Sequence, residues 1–175
     1  MELKVAYMPF PNDNQLLEMT RRVINGHNDS HKLDRFKKEF ILAGPDALSG
    51  VHSYQQVYIF AHGTCKGDSI MDSTGGSMTI QDLAKQLKDQ KLTRRIGKIK
   101  LWICEGSAGG MDSTAAKFKD AIVLQGYRDT SVYGYSKLLA SGMSSDGKHK
   151  YGGDYDWSTH TWSNTQTAKN IRTKF

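Results

Sequence analysis

Val57-Tyr-Ile-Phe-Ala-His-Gly63 opens with the longest uninterrupted apolar run in the chain, five residues, and ends on a histidine and a glycine. A run this short, rich in β-branched and aromatic residues, predicts a buried strand over Gln55–Ala61. Lys98-Ile-Lys-Leu-Trp-Ile-Cys104 has the same character and ends on a cysteine followed by Glu105-Gly106. In an open parallel sheet the carboxyl ends of the strands meet at one edge, where ligands bind. If these two strands are neighbours, His62 and Cys104 face one cleft although 42 residues separate them.

Outward from this pair, strand and helix alternate. Leu3–Met8 reads as a first strand closed by Pro9 and Pro11. Asp13 is placed to cap a helix carrying Leu16, Leu17, Met19 and Val23, with Gly26 beyond its end. Leu33–Leu42 sets Leu33, Phe36 and Phe40 on one helical face. Gly63–Ser77 reads as a loop, and Thr79-Ile-Gln-Asp82 as a capping box with Met78 set to staple against Leu83. A helix from Ser113 to about Asp120 is followed by buried strands at Ala121–Leu124 and Ser131–Tyr135. From Lys137 to Phe175 the composition shifts to Gly, Ser, Thr, Trp and Lys, which predicts hairpins. The fold class expected is α/β: a mostly parallel central sheet flanked by helices, with right-handed crossovers and an antiparallel appendage over about 137–175 at one edge.

The length, 175 residues, suits one domain spanning 1–175. Hydrophobic residues at 38% and charged residues at 24% describe a globular chain rather than a disordered one. No apolar stretch is long enough for a transmembrane helix, and Met1-Glu-Leu-Lys-Val-Ala has neither basic leader nor apolar block, so no signal peptide and no stable membrane insertion are expected. Cys65 and Cys104 cannot make a disulfide framework and are expected to be reduced thiols. The formal charge of +6 favours polyanionic partners. No basic run alternates with aromatics, which argues against nucleic acid as a partner.

A lone cysteine at a strand end is ordinarily a small buried hydrophobe, and a lone histidine a hydrogen-bonded bystander. Their joint position changes the balance, because a thiol needs an adjacent base or imidazolium to become a nucleophile. Gly63 would let the backbone approach a substrate, and its N–H, with that of Cys104, could receive a developing oxyanion. His62-Gly-Thr-Cys65 also has the spacing of a metal pair, and Cys104 or Asp68 would extend it. A structural zinc ordinarily shows a second close pair, which is missing near Cys104, so no metal is expected. His27, His31, His52, His149 and His160 show no ligand spacing.

Hydrophobic strand, His-Gly, a spacer of about forty residues, hydrophobic strand, Cys resembles the caspase-like cysteine peptidases. Within them the chain is most similar to the inositol-hexakisphosphate-activated cysteine protease domains of large bacterial toxins and to secreted effectors built on that domain. The likeness runs from Val57 to Trp157, through Val57-Tyr-Ile-Phe-Ala-His-Gly63, Lys100-Leu-Trp-Ile-Cys104, Val132-Tyr-Gly-Tyr135, and Ser145-Asp-Gly-Lys148 followed by Trp157, which is similar to the toxins' β-flap. The resemblance implies a His62–Cys104 dyad, with Cys104 the nucleophile, Gly63 in the oxyanion hole and no carboxylate third member. It implies that Val132–Leu139 lines the primary specificity pocket. Toxin domains lie inside long chains and free themselves, whereas this chain is short, so cleavage of another protein, or no cleavage, is expected.

The resemblance further implies inositol hexakisphosphate as an activator. Lys148, Lys150, Lys169, Arg172 and Lys174 concentrate cations in the last twenty-eight residues, the kind of cluster that holds several phosphates. Arg21, Arg22 and Arg35 are amino-terminal candidates to join them, as are Lys32 and Lys38. A second basic run, Lys85, Lys88, Lys91, Arg94, Arg95, Lys98 and Lys100, reads as solvated surface. The expectation is a ligand-switched cysteine endopeptidase with a protein substrate, secreted by a bacterium without a classical signal peptide and acting in a host cytosol. The alternatives are a catalytically silent inositol-phosphate-binding module of the same fold and a thiol-dependent transpeptidase or ligase.

Overall fold

A computed structural model describes residues 3–31, 40–63, 67–143 and 150–175. In chain order the elements are β1 (Lys4–Met8), α1 (Asn14–His31), β2 (Ile41–Leu42), β3 (Gln56–Phe60), β4 (His62–Gly63), β5 (Ser69–Met71), β6 (Ser77–Thr79) and α2 (Ile80–Asp89). They continue as β7 (Lys98–Trp102), α3 (Thr114–Leu124), β8 (Ser131–Tyr135), β9 (Leu138–Met143), β10 (Lys150–Asp156), β11 (Thr161–Thr167) and β12 (Arg172–Lys174). The central sheet runs β12-β8-β7-β3-β1-β2, and every pairing in it is parallel except β12 on β8. The expected α/β class is the one observed.

Strand side chains alternate between two faces, and each face has its own cover. Val5, Tyr7, Val57, Ile59, Ile99, Leu101 and Val132 point to α2 and α3, where Leu83, Leu87, Phe118 and Ile122 meet them. Ala6, Met8, Tyr58, Phe60, Trp102 and Tyr135 point the other way, to Leu16, Val23 and Ile24 of α1 and to Leu139, Ala168 and Ile171 from the carboxyl-terminal part. Thr79 caps α2 as expected, accepting the Asp82 amide at 3.0 Å, and Met78 packs on the same core as Leu83. Among the described residues, no helix is long and apolar enough to cross a membrane.

Several expectations change. α1 passes through Gly26 and continues to His31, because Val23, Ile24 and Asn28 extend the buried stripe begun by Leu16 and Thr20. Of the helix expected over Leu33–Leu42, residues 33–39 lie outside the described residues. Its end is a strand: Ile41 and Leu42 pair in parallel with Tyr7 and Met8. Ala121–Leu124 is the last turn of α3, not a strand. Ala115, Phe118 and Ile122 keep the helical spacing, and Leu124 is 84% exposed, which a core strand would not allow. Within the expected loop Gly63–Ser77, β4, β5 and β6 form a small antiparallel sheet. The carboxyl-terminal hairpins are present as the antiparallel sheet β11-β10-β9, but they lie over one face of the main sheet, and β12 joins that sheet as its edge.

Asp13 caps α1, accepting the Leu16 amide at 2.9 Å, and it also accepts the Ser73 amide at 2.8 Å and the Ser73 hydroxyl. Burial alone would raise its pKa. The bonds from Ser73 and Leu16, with nearby His62, outweigh that and hold it below 3.8. Asp13→Ala is expected to cost about 1–2 kcal/mol of stability at neutral pH, measured by urea unfolding. A depressed folded pKa means that this contribution is complete above the unfolded carboxyl pKa and is lost as pH falls through the folded one. The stability gap between parent and variant should therefore close in acid; a gap independent of pH would remove the charge from the cap's role.

Candidate active site

β3 and β7 are adjacent and in parallel register from Gln56 beside Lys98 to Phe60 beside Trp102. Two residues past that last pair stand His62 on one strand and Cys104 on the other. The turn off β3 differs from that off β7. His62-Gly63 peels away as β4 to pair with Met71 and Ile70. Cys104 instead opens a tight turn in which the Gly106 amide returns to the Ile103 carbonyl at 3.3 Å. Gly63 lies against this second turn: a Cβ there would sit 2.4 Å from Ile103 Cγ2. A glycine is thus required by close approach, and the His-Gly and Ile-Cys dipeptides are packed together at the carboxyl edge of the sheet.

Cys104 is held from behind. Its sulfur accepts the Leu139 amide at 3.4 Å, and Glu105 after it adopts φ 54°, left-handed for a residue with a Cβ. That conformation costs about 1–2 kcal/mol, and it is fixed by the Glu105 N–H on the Lys137 carbonyl at 3.1 Å and by the Ala108 N–H on the Glu105 carbonyl at 2.9 Å. Burial raises the thiol pKa above 9.0; the Leu139 amide opposes the rise and the Glu105 carboxylate adds to it. The thiol opens on a hollow of about 310 Å³ walled by Met19, Leu138, Leu139, Ala140, Tyr155, Trp157 and Trp162. Of the segment Val132–Leu139, expected to line a specificity pocket, Leu138 and Leu139 border this hollow. Val132 belongs to the core on the opposite face, and the aromatic wall comes from β10, β11 and the turn between them.

His62 lines a neighbouring hollow of about 370 Å³ with Gln15, Glu18, Met19 and Arg22 of α1. Its Nε2 is buried and has no hydrogen-bond partner among the described residues. Met19 is common to both hollows. The Asp13 carboxylate lies near enough to His62 to feel its charge, although its bonds go to Leu16 and Ser73. Sequence reading gave Asp13 only the cap, and nothing in its local pattern signals the imidazole, which comes from a distant strand end.

A cluster of cations occupies the face of the sheet beneath the flap. Lys100 donates to the Tyr58 hydroxyl at 2.9 Å, and its Nζ stands 4.8 Å from the centre of the Tyr58 ring. Lys150 Nζ is 4.8 Å from the Tyr58 ring and 4.8 Å from the Trp102 ring, and Lys4 Nζ is 5.9 Å from Tyr58. Arg172 stacks on Tyr133 at 4.9 Å, and Lys174 is in register with Tyr133. Burial pushes the Lys150 pKa well below 10.5, and repulsion from Lys4 and Lys100 deepens the shift.

This cluster corrects part of the sequence reading. Lys100, read as solvated surface, is only 6% exposed, because the period of two turns Lys98, Lys100 and Trp102 away from the face shared by Ile99 and Leu101. Lys4 joins it too. Of the expected ligand residues, Lys150, Arg172 and Lys174 gather here. Lys169 is exposed in the turn before β12. Arg21 and Arg22 are tied to Glu18 on α1, at 4.0 and 3.2 Å, and Arg22 faces the His62 hollow. Arg35 and Lys148 lie outside the described residues, as do Lys32, Lys38, Cys65 and the Ser145–Lys148 part of the flap motif.

No protein-family model matches the chain, and no curated protein matches it. Among solved structures, a secreted C11 cysteine protease from Bacteroides thetaiotaomicron, determined with an irreversible peptide inhibitor, is similar at 11% identity with a TM-score of 0.40. The match covers 78% of this chain and 49% of that one, so the chain spans about half the length of that protein. At that identity and score the likeness is loose, and the site stands on its own geometry.

Proposed function

We propose that the protein is a caspase-like cysteine endopeptidase whose activity is switched by inositol hexakisphosphate. The observation that carries this reading is the packing of His62-Gly63 against Ile103-Cys104 at the ends of adjacent parallel strands. Cys104 would attack a peptide carbonyl, with the Gly63 and Cys104 amides receiving the oxyanion. His62 would give its proton to the leaving amine, and water would then hydrolyse the thioester. The apolar hollow beside the thiol suits a large apolar side chain before the cleaved bond.

The cation cluster supports the switch. Lys4, Lys100 and Lys150 crowd around one tyrosine ring, and burial together with mutual repulsion lowers the Lys150 pKa. A polyphosphate fits such a set, since it relieves the repulsion and makes charge-assisted hydrogen bonds. Lys4, Lys100, Lys150, Arg172 and Lys174 would hold it. The consequence for the thiol runs through the flap: β10 begins at Lys150 and pairs with β9, whose Leu139 holds the Cys104 sulfur. Inositol hexakisphosphate is abundant in eukaryotic cytosol, so the reading includes a bacterial effector acting inside a host cell. One observation favours a second reading, a silent phosphate-binding module: the thiol is bonded to the Leu139 amide, and its pKa is raised.

A peptide-like electrophile separates the two. Labelling of Cys104, read by mass spectrometry, is expected to be at least tenfold faster with inositol hexakisphosphate than without. Cys104→Ala should abolish cleavage while leaving the affinity for the ligand intact. Tight ligand binding with no labelling under either condition would select the silent module.

Ligand binding should also take up protons. A polyanion raises the depressed Lys150 pKa, so the bound state holds more protons than the free one, and affinity weakens as pH rises through the free ammonium's titration. Titration calorimetry in two buffers of different ionisation heat measures the uptake, and Lys150→Met is expected to remove most of it. Uptake unchanged in that variant would exclude Lys150 from the ligand site.

A further inference from the structure

Gln15, Glu18, Met19 and Arg22 stand at i, i+3, i+4 and i+7 on α1, one face of its first turns, and together they wall the His62 hollow. Met19 is also a wall of the Cys104 hollow. The two recesses therefore lie on either side of one side chain, with the thiol in the apolar recess and the imidazole in the polar one. Glu18 is shared: its carboxylate accepts from Arg22 Nε at 3.2 Å and lies 4.0 Å from Arg21 Nη1. One carboxylate between two guanidiniums leaves a positive surplus. The other nearby carboxylate, Asp13, is 4% exposed and already accepts from Leu16 and Ser73. The amino-terminal end of α1 adds partial positive charge.

We propose that this hollow is the subsite for the residue that follows the cleaved bond, and that it takes an acidic side chain through Arg22. The assignment rests on the endopeptidase reading, in which the group that protonates the leaving amine stands on the amine's side of the bond. With His62 in that role, the chain beyond the bond passes Met19 and enters the hollow. Arg22 then exchanges part of its contact with Glu18 for the substrate carboxylate. Apart from the proton-donating imidazole of His62, Arg22 is the one cation lining the hollow among the described residues, so selectivity is concentrated in its guanidinium.

Three peptides test this, identical except for aspartate, asparagine or lysine after a leucine at the cleaved bond, each with inositol hexakisphosphate present. The expected kcat/KM ratio of aspartate over asparagine is about threefold to fivefold, as for an exposed charge pair. Arg22→Gln should collapse that ratio, and Arg22→Glu should turn the preference toward lysine. Lys85→Gln, on the exposed face of α2, should leave the ratio as it was. The affinities of the Cys104→Ala protein for the same peptides, followed by the fluorescence of Trp157 and Trp162, read the subsite without catalysis. If nothing is cleaved but the aspartate peptide binds about threefold to fivefold tighter in an Arg22-dependent way, the subsite stands and the peptidase reading falls. Equal affinity for the three peptides, or an aspartate preference indifferent to Arg22, overturns the subsite.

Discussion

The parallel register of β3 on β7 is the constraint on which the rest of the site depends. Because the ladder pairs Phe60 with Trp102, the residues two steps on, His62 and Cys104, leave the sheet side by side. The same ladder sets the faces. Val57, Ile59, Ile99 and Leu101 are committed to the α2–α3 side, and Tyr58, Lys100 and Trp102 must then face α1 and the flap. A slip of one residue would put Lys100 among Leu83, Leu87 and Phe118, at a prohibitive desolvation cost, so the apolar core and the buried cations enforce one register together.

The flap joins two parts of the protein that the main sheet keeps separate. At one end of β10, Lys150 reaches the rings of Tyr58 and Trp102. Along its length β10 pairs with β9, and the Leu139 amide of β9 holds the Cys104 sulfur. Beyond it, Tyr155, Trp157 and Trp162 wall the hollow over the thiol. The ion pair of Lys137 with Asp154, at 2.7 Å, fastens the flap to the turn whose Lys137 carbonyl also receives the Glu105 amide. Lys150 and the Leu139 amide that meets Cys104 thus belong to one hydrogen-bonded ladder.

Helix α1 serves two surfaces with one sequence. Leu16, Thr20, Val23 and Ile24 are buried on the sheet, and Gln15, Glu18, Met19 and Arg22 border His62. Its cap, Asp13, ties the helix to Ser73 in the loop between β5 and β6, so the helix, the small sheet carrying His62 and the main sheet brace one another. Met19 of that helix borders both the histidine and the cysteine recesses.

By itself the sequence determined four of the five parallel strands, the helices with clear caps and the placement of His62 and Cys104 at strand ends, because these follow from local periodicity and from what ends each apolar run. It also carried Lys150 and Arg172 as cations near the carboxyl end. Tertiary structure decided the rest. Ala121–Leu124 is helix because Phe118 and Ile122 share a face against the sheet, a fact of packing that four apolar residues in a row cannot express. Lys100 is buried because its neighbours in register are Tyr58 and Tyr133, residues 42 and 33 positions away. Arg22 lines the hollow of His62 rather than joining the cation cluster because it shares a helix face with Gln15, Glu18 and Met19, which wall that hollow. Local chemistry is written in adjacent residues, but the partner of a buried charge is set by the fold that brings distant residues together.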